Sequence, residues 1–207
     1  MAHKDILKKQ NILHRWGLTP KELSEIVEAN PSLRGMIFGY VSEYKLRKIW
    51  FNDDRISNLT KYDDHDRKKK GDLSFIYKGV EIRVEVKSLQ TSTIRHEKEQ
   101  WSGKFQCDAS DRREVRLPNG KRIQTTCLVV GEFDLLAVNL FSFGDEWRFG
   151  FAKNRDLPRS SYSKYRPQDR KYLLATLMAI SWPLSSPFST DPFPLLDSIV
   201  REKRGRS

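Results

Sequence analysis

Apolar positions in this chain are spaced first as in helices and then as in strands. Over residues 5–16 they fall at Ile6, Leu7, Ile12, Leu13 and Trp16, a helical spacing that Gly17 ends. Thr19-Pro20-Lys21-Glu22 then reads as a capping box, with threonine at the N-cap, proline at the first helical position and glutamate at the third. The helix it opens is expected to stop near Asn30-Pro31. A longer one, capped by Ser32, is expected to run to about Trp50, with Met36, Ile37, Tyr40, Val41 and Tyr44 as its apolar stripe. Two consecutive helices also fit a helix-turn-helix, but packing against a sheet explains the same stripe.

Residues 52–70 are polar and aperiodic and read as a loop. From Asp72 the period becomes two. Asp72-Leu73-Ser74-Phe75-Ile76-Tyr77 and Val80-Glu81-Ile82-Arg83-Val84-Glu85-Val86-Lys87 flank Lys78-Gly79, a two-residue turn that predicts a tight hairpin. Residues 88–104 fit either an exposed helix or a flap, and Phe105 to Ala109 alternates as a strand. Asn119-Gly120, between Val115-Arg116-Leu117 and Ile123-Gln124-Thr125-Thr126, predicts a second hairpin. Residues 133–141 are nearly continuous apolar, as in a central strand covered on both faces, and 147–152 reads as its neighbour. Tyr172 to Ile180 is expected to be the last helix, ended by Ser181-Trp182-Pro183. The order predicts one domain over 1–207: N-terminal helices (1–50), a sheet core (71–155) and a C-terminal helical segment with a basic tail (156–207). The fold class is α/β, a three-layer α/β/α arrangement about a central mixed sheet.

The first hairpin carries the chemistry. Its turn pairs Tyr77 with Val80, Phe75 with Ile82 and Leu73 with Val84, which sets Asp72 opposite Glu85. The apolar pairs share one face, while Asp72, Glu85 and Lys87 share the other. Opposed carboxylates repel, so the pattern points to a cation between them and to a metal-dependent site. A plain surface hairpin with ion pairs among Glu81, Arg83, Glu85 and Lys87 accounts for the alternation but not for that opposition. Glu43-Tyr44-Lys45 repeats the Glu-x-Lys spacing on a predicted helix, where the two charges point apart.

Composition narrows the partner. With 207 residues, 31% charged and 38% hydrophobic, the chain suits a globular, water-facing protein. No apolar run approaches the roughly 18–20 residues that span a bilayer, and the N-terminus has no signal-peptide pattern. Cys107 and Cys127 have no zinc-type spacing and fit reduced thiols, hence a cytoplasmic setting. No glycine-rich phosphate loop occurs, which argues against an ATP-driven enzyme. The net charge of +11 favours a polyanion, foremost nucleic acid. Arg67-Lys68-Lys69-Lys70 runs straight into Gly71-Asp72, and Arg112 and Arg113 lie downstream as further phosphate-binding candidates. The basic tail from Arg201 reads as a frayed, solvated end. Gln106, Asp108 and Ser110 share a strand face toward the same cleft. Asp63, Asp64 and Asp66 read as a solvated loop, His65 and His96 as titratable groups in polar stretches, and Trp101 and Trp147 as packing residues.

Asp72, a spacer and Glu85-Val86-Lys87 resemble the signature of the PD-(D/E)xK, or restriction-endonuclease-like, nuclease superfamily, with Gly71 where its pattern has proline. The resemblance spans roughly residues 33–155. It implies a Mg²⁺-dependent DNA endonuclease, with Mn²⁺ able to substitute, that leaves 5′-phosphate and 3′-hydroxyl ends. Asp72 and Glu85 would hold the ion, with the Val86 carbonyl as a third ligand and Glu43 reaching it through water. Lys87 would orient the attacking water or meet the developing charge. A type II restriction-type homodimer acting on double-stranded DNA is the implied setting. A nickase or junction resolvase, or a non-catalytic or partner-dependent nucleic-acid-binding subunit of a defence, repair or mobile-element system, shares the scaffold.

Overall fold

The computed structural model describes residues 11–62 and 70–205. The chain forms two compact units, Met1–Val41 and Ser42–Ser207. In the first, α1 (Ile12–Trp16) is N-capped by the Asn11 side chain and closed by Gly17 at φ 65°. Residues 5–10 of the expected first helix lie outside the described residues. In α2 (Pro20–Ala29) the Thr19 hydroxyl accepts from the Glu22 amide while the Glu22 carboxylate accepts from the Thr19 amide, so the capping box forms as expected.

Helix α3 (Pro31–Leu46) starts two residues early. Asn30 accepts from the Arg34 amide, and Pro31, whose fixed φ suits a first helical position, leaves Ser32 inside the first turn rather than at the cap. Its expected apolar stripe is not a core face. Met36, Tyr40 and Tyr44 are exposed, and the helix buries Ser42 and Leu46 instead. Beyond Leu46 the helix widens into a π turn, Arg47–Phe51, which delivers Phe51 to the core.

The second unit is built on a five-stranded mixed sheet ordered β1-β2-β3-β8-β9. Its strands are β1 (Ile56–Lys61), β2 (Leu73–Tyr77), β3 (Val80–Ser88), β8 (Leu135–Asn139) and β9 (Phe149–Lys153). β3 and β8 run parallel and the other pairs antiparallel. Every residue of β8 is buried, as its apolar run requires. Leu135 and Ala137 pack with Phe51, Phe75, Phe151 and the helix α5 (Phe193–Arg204), whereas Leu136 and Val138 pack with Phe105, Met178 and Ile180. Burial of such a side chain contributes about 1.5–3 kcal/mol. Among the described residues, helices cover the first face and strands the second, in place of helices on both.

That second layer is a three-stranded sheet, β10-β5-β4, from β4 (Arg95–Glu97), β5 (Gln100–Gln106) and β10 (Leu177–Trp182). Three sequence expectations change here. The 88–104 segment is a strand pair, not a helix. The strand expected over Phe105–Ala109 breaks at Cys107, whose amide turns to the Thr176 carbonyl. Tyr172–Ile180 is not the last helix: Met178 and Ile180 are buried between exposed Leu177 and Ala179, a period of two. The last helix is α5, and through Arg204 the basic tail is anchored rather than frayed. Lys203 donates to the Glu81 carbonyl and Asp134, and Arg204 to the Lys78 carbonyl. The expected loop at 52–70 contains β1, an edge strand with a bulge between Ser57 and Thr60. A short α4 (Pro167–Arg170) and a separate ribbon, β6 (Asp108–Arg116) with β7 (Arg122–Cys127), complete the unit. Among the described residues, no helix is long and apolar enough to cross a membrane.

Candidate active site

The β2–β3 hairpin has the expected register: Tyr77 opposes Val80, Phe75 opposes Ile82 and Leu73 opposes Val84. Its turn residues Lys78 and Gly79 both have positive φ, 49° and 76°, the pattern of a type I′ turn that matches strand twist. Lys78 tolerates this conformation while its ammonium holds Asp197 of α5 at 2.6 Å.

The ladder stops at Leu73–Val84, so Asp72 and Glu85 do not form the further rung expected between them. Gly71, at φ 85°, turns the chain just before the strand. The Asp72 amide then donates to the Val84 carbonyl (2.8 Å), and Asp72 Oδ2 accepts from the Val86 amide (2.6 Å). The carboxylate is thereby fixed to the edge of β3. Alternation along β3 sends Val84 and Val86 into the core and leaves Glu85 and Lys87 on the other face.

Asp72, Glu85 and Lys87 line one open cleft of about 530 Å³, together with Asp108, Arg113 and Glu132. Lys87 Nζ lies 2.6 Å from Glu85 Oε1. Burial pushes the Glu85 carboxyl up to about 7, opposed by Lys87 and reinforced by Asp72. Burial also raises Asp72, against the pull of Lys87 and the Val86 amide and with a contribution from Glu43. Burial works against the Lys87 ammonium, but Glu85 and Asp72 outweigh it and leave its pKa raised. Two desolvated carboxylates thus share one cation, which does not neutralise both.

The donor set suits a hard divalent ion. Among the described residues, Asp72 Oδ1 and Glu85 Oε2 have no hydrogen-bond partner. No three His, Cys, Asp or Glu side chains among those residues form a ready-made metal cage. A pair of carboxylates with open positions is how Mg²⁺ is commonly held, the rest of its shell being water and substrate phosphate. Val86 contributes its amide to Asp72 and its side chain to the core. Glu43 is held by Lys61 at 2.7 Å and does not line the cleft, though its charge reaches Asp72.

The other predicted residues divide. Lys70 and Arg113 line the cleft and both meet Glu132, at 3.3 and 2.6 Å. Arg112 lines it too and is exposed. Asp108 and Ser110 line it, whereas Gln106, outside the lining, donates to Asp108 at 3.0 Å. Lys68, Lys69, Asp63, Asp64, His65 and Asp66 lie outside the described residues. Trp101 stacks between His96 and Phe143, and Trp147 packs on Phe141, so both tryptophans are packing residues. Burial pushes the Cys107 thiol up to about 12, which leaves it unreactive.

Glu132 was not singled out by sequence. Its carboxylate also accepts from the Val129 amide, and it holds Lys70 and Arg113 at the rim. Burial opposes its charge, but Arg113 and the Val129 amide win and hold the carboxyl below its ordinary value. An acidic residue directly before the apolar run at 133–141 was the available signal.

The fold and cleft together define a mixed α/β protein in which Glu85 and Lys87 of an internal strand and Asp72 beside it meet at one cleft. No family model matches the chain, and no curated protein matches it. Among solved structures, that of a bacterial homing endonuclease, I-Ssp6803I, is similar at 17% identity and a TM-score of 0.31. The match covers 65% of this chain and 85% of that one.

Proposed function

We propose that this chain is a Mg²⁺-dependent endonuclease that hydrolyses phosphodiester bonds in duplex DNA, of the restriction-endonuclease-like type. The observation that carries the reading is the convergence of Asp72, Glu85 and Lys87 on one open cleft, the carboxylates buried at its floor and arginine and lysine at its rim. Asp72 and Glu85 would hold the ion. When bound, Mg²⁺ neutralises the scissile phosphate and lowers the pKa of a coordinated water. Lys87 sets a fixed ammonium beside the attacking water and the charge that develops on phosphorus-bound oxygen. Lys70 and Arg113, held by Glu132, meet non-bridging oxygens of the same backbone. The net charge of +11 supplies the long-range attraction to the polyanion. A restriction-type homodimer leaving 5′-phosphates is the setting that the sequence resemblance implies.

Supercoiled plasmid incubated with the protein is expected to be nicked or linearised with Mg²⁺, and untouched in EDTA. Intact plasmid under both conditions, with tight salt-sensitive binding, would assign the chain to the non-catalytic binders.

The same pair gives a linked stability effect. In metal-free protein the folded-state pKa of Glu85 is about 7, above the reference 4.5, so the folded state holds more protons between those values. This group's contribution therefore declines as pH rises from about 4.5 to about 7. Mg²⁺ binds the ionised pair, so the rise in Tm on adding Mg²⁺ is expected to be larger at pH 8 than at pH 6. Thermal melts at both pH values check this, and equal increments would rule out an ion on Glu85.

A further inference from the structure

We propose that the β6–β7 ribbon reads base edges in the major groove of duplex DNA, with Arg116, Arg122 and Gln124 as reading side chains. This rests on the nuclease reading of the adjacent cleft.

The ribbon is a two-stranded sheet of its own, turned at Asn119-Gly120 with Gly120 at φ 81°. Its two faces differ completely. One face buries Val115, Thr125 and Cys127 against Leu173, Tyr165 and Tyr172. The other exposes Glu114, Arg116, Arg122 and Gln124. On that face Arg116 stands directly opposite Arg122, and Glu114 opposite Gln124. Two arginines opposed in a ladder repel each other. Only Arg122 has an acidic partner among the described residues, an exposed contact with Glu114 at 3.1 Å. Such a pair suits an anionic occupant.

Placement and residue type make that occupant a duplex read in its major groove. Glu114, on the same exposed face as Arg116, Arg122 and Gln124, also lines the carboxylate cleft, so that face of the ribbon borders the cleft. Strands advance about 3.4 Å per residue, so Arg116 stands roughly 7 Å, about two base-pair steps, beyond Glu114 on the same face at the cleft. A two-stranded ribbon fits a major groove about 12 Å wide. Arginine pairs with guanine O6 and N7, glutamine with adenine N6 and N7, and glutamate accepts from cytosine N4. Glu114 decides against a pure phosphate clamp, because a carboxylate there would repel the backbone.

The test is binding selection in EDTA from a pool of randomised duplexes, comparing the full chain with Arg116→Lys and Gln124→Ala. Wild type is expected to enrich a defined sequence. Each variant is expected to lose about ten- to hundred-fold discrimination at one or two positions. Arg116→Lys keeps the charge and loses the fork, so its salt dependence of non-specific binding should be unchanged. Thermal melts should match wild type, since both side chains are exposed. Variants that enrich the wild-type sequence, a wild type that enriches none, or equal binding to duplex RNA would each overturn the proposal. An RNA duplex has a major groove too narrow for the ribbon. The two readings fail separately: the selection, run in EDTA, reads the ribbon alone, and Mg²⁺-dependent cleavage of plasmid reads the cleft.

Discussion

Replacing Asp72 by asparagine is expected to abolish Mg²⁺-dependent cleavage, by at least about 10³-fold, without destabilising the protein. Loss of one preorganised charged or polar group at a reacting centre typically costs 10²–10³-fold, and removal of a metal ligand should reach or exceed the top of that range. The asparagine oxygen can still accept from the Val86 amide, so the local fold is kept. What disappears is one of two buried like charges, so the metal-free melting temperature should hold or rise. Glu85→Gln should follow the same pattern, since burial raises its carboxyl as well. Lys87→Ala should behave differently in stability. It leaves Glu85 and Asp72 buried without their shared cation, and breaking a buried pair from one side costs about 3–5 kcal/mol. The three variants thus share a loss of cleavage and split in stability, two neutral or up and one down. Surface ion pairs would give small stability changes throughout, about 0–1 kcal/mol, and retained cleavage. Cleavage assays beside chemical denaturation of the metal-free proteins measure both, and a nicking rate for Asp72→Asn equal to wild type would remove Asp72 from the site.

The geometry of the candidate site was legible because it is local. Lys78-Gly79 fixes the turn, the turn fixes the register, and the register puts Val84 and Val86 inside and Glu85 and Lys87 in the cleft. The same locality made the Asn119-Gly120 hairpin, the Thr19 capping box and the buried strand at 135–139 readable. What escaped depends on distant partners. β10 is a strand because it pairs with β5, and its alternation at Met178 and Ile180 is preceded by Leu173-Leu174, which imitates a helical run. β1 is an edge strand whose Ser57, Asn58 and Thr60 show no period. Glu132 pairs with Lys70 and Arg113, residues that only the folded chain brings beside it. The stripe on α3 misled for the opposite reason: its spacing is helical, but Met36, Tyr40 and Tyr44 are left exposed.

Gly71→Pro is expected to be among the most damaging changes near the site, although proline is the residue that the resembling superfamily carries at this position. Gly71 sits at φ 85°, and proline is held near −65°. A Cβ at this position would also lie 2.9 Å from the Val84 carbonyl oxygen, the atom that accepts from the Asp72 amide. Any relief of that clash moves Asp72 relative to Glu85. Gly71→Ala meets the clash and the positive φ, with a cost of about 1–3 kcal/mol, or a Tm fall of roughly 2–12 °C. Gly71→Pro should cost about 3 kcal/mol or more. In both variants cleavage should fall while Asp72, Glu85 and Lys87 are chemically intact. Gly79→Ala is the matched control, because Gly79 has a φ of 76° but nothing within 4 Å of an added Cβ. It should show backbone strain alone, with cleavage retained. The difference between the Gly71 and Gly79 variants isolates the close approach at Val84. A Gly71→Pro protein that melts and cuts like wild type would show that Asp72 is placed by something other than this turn.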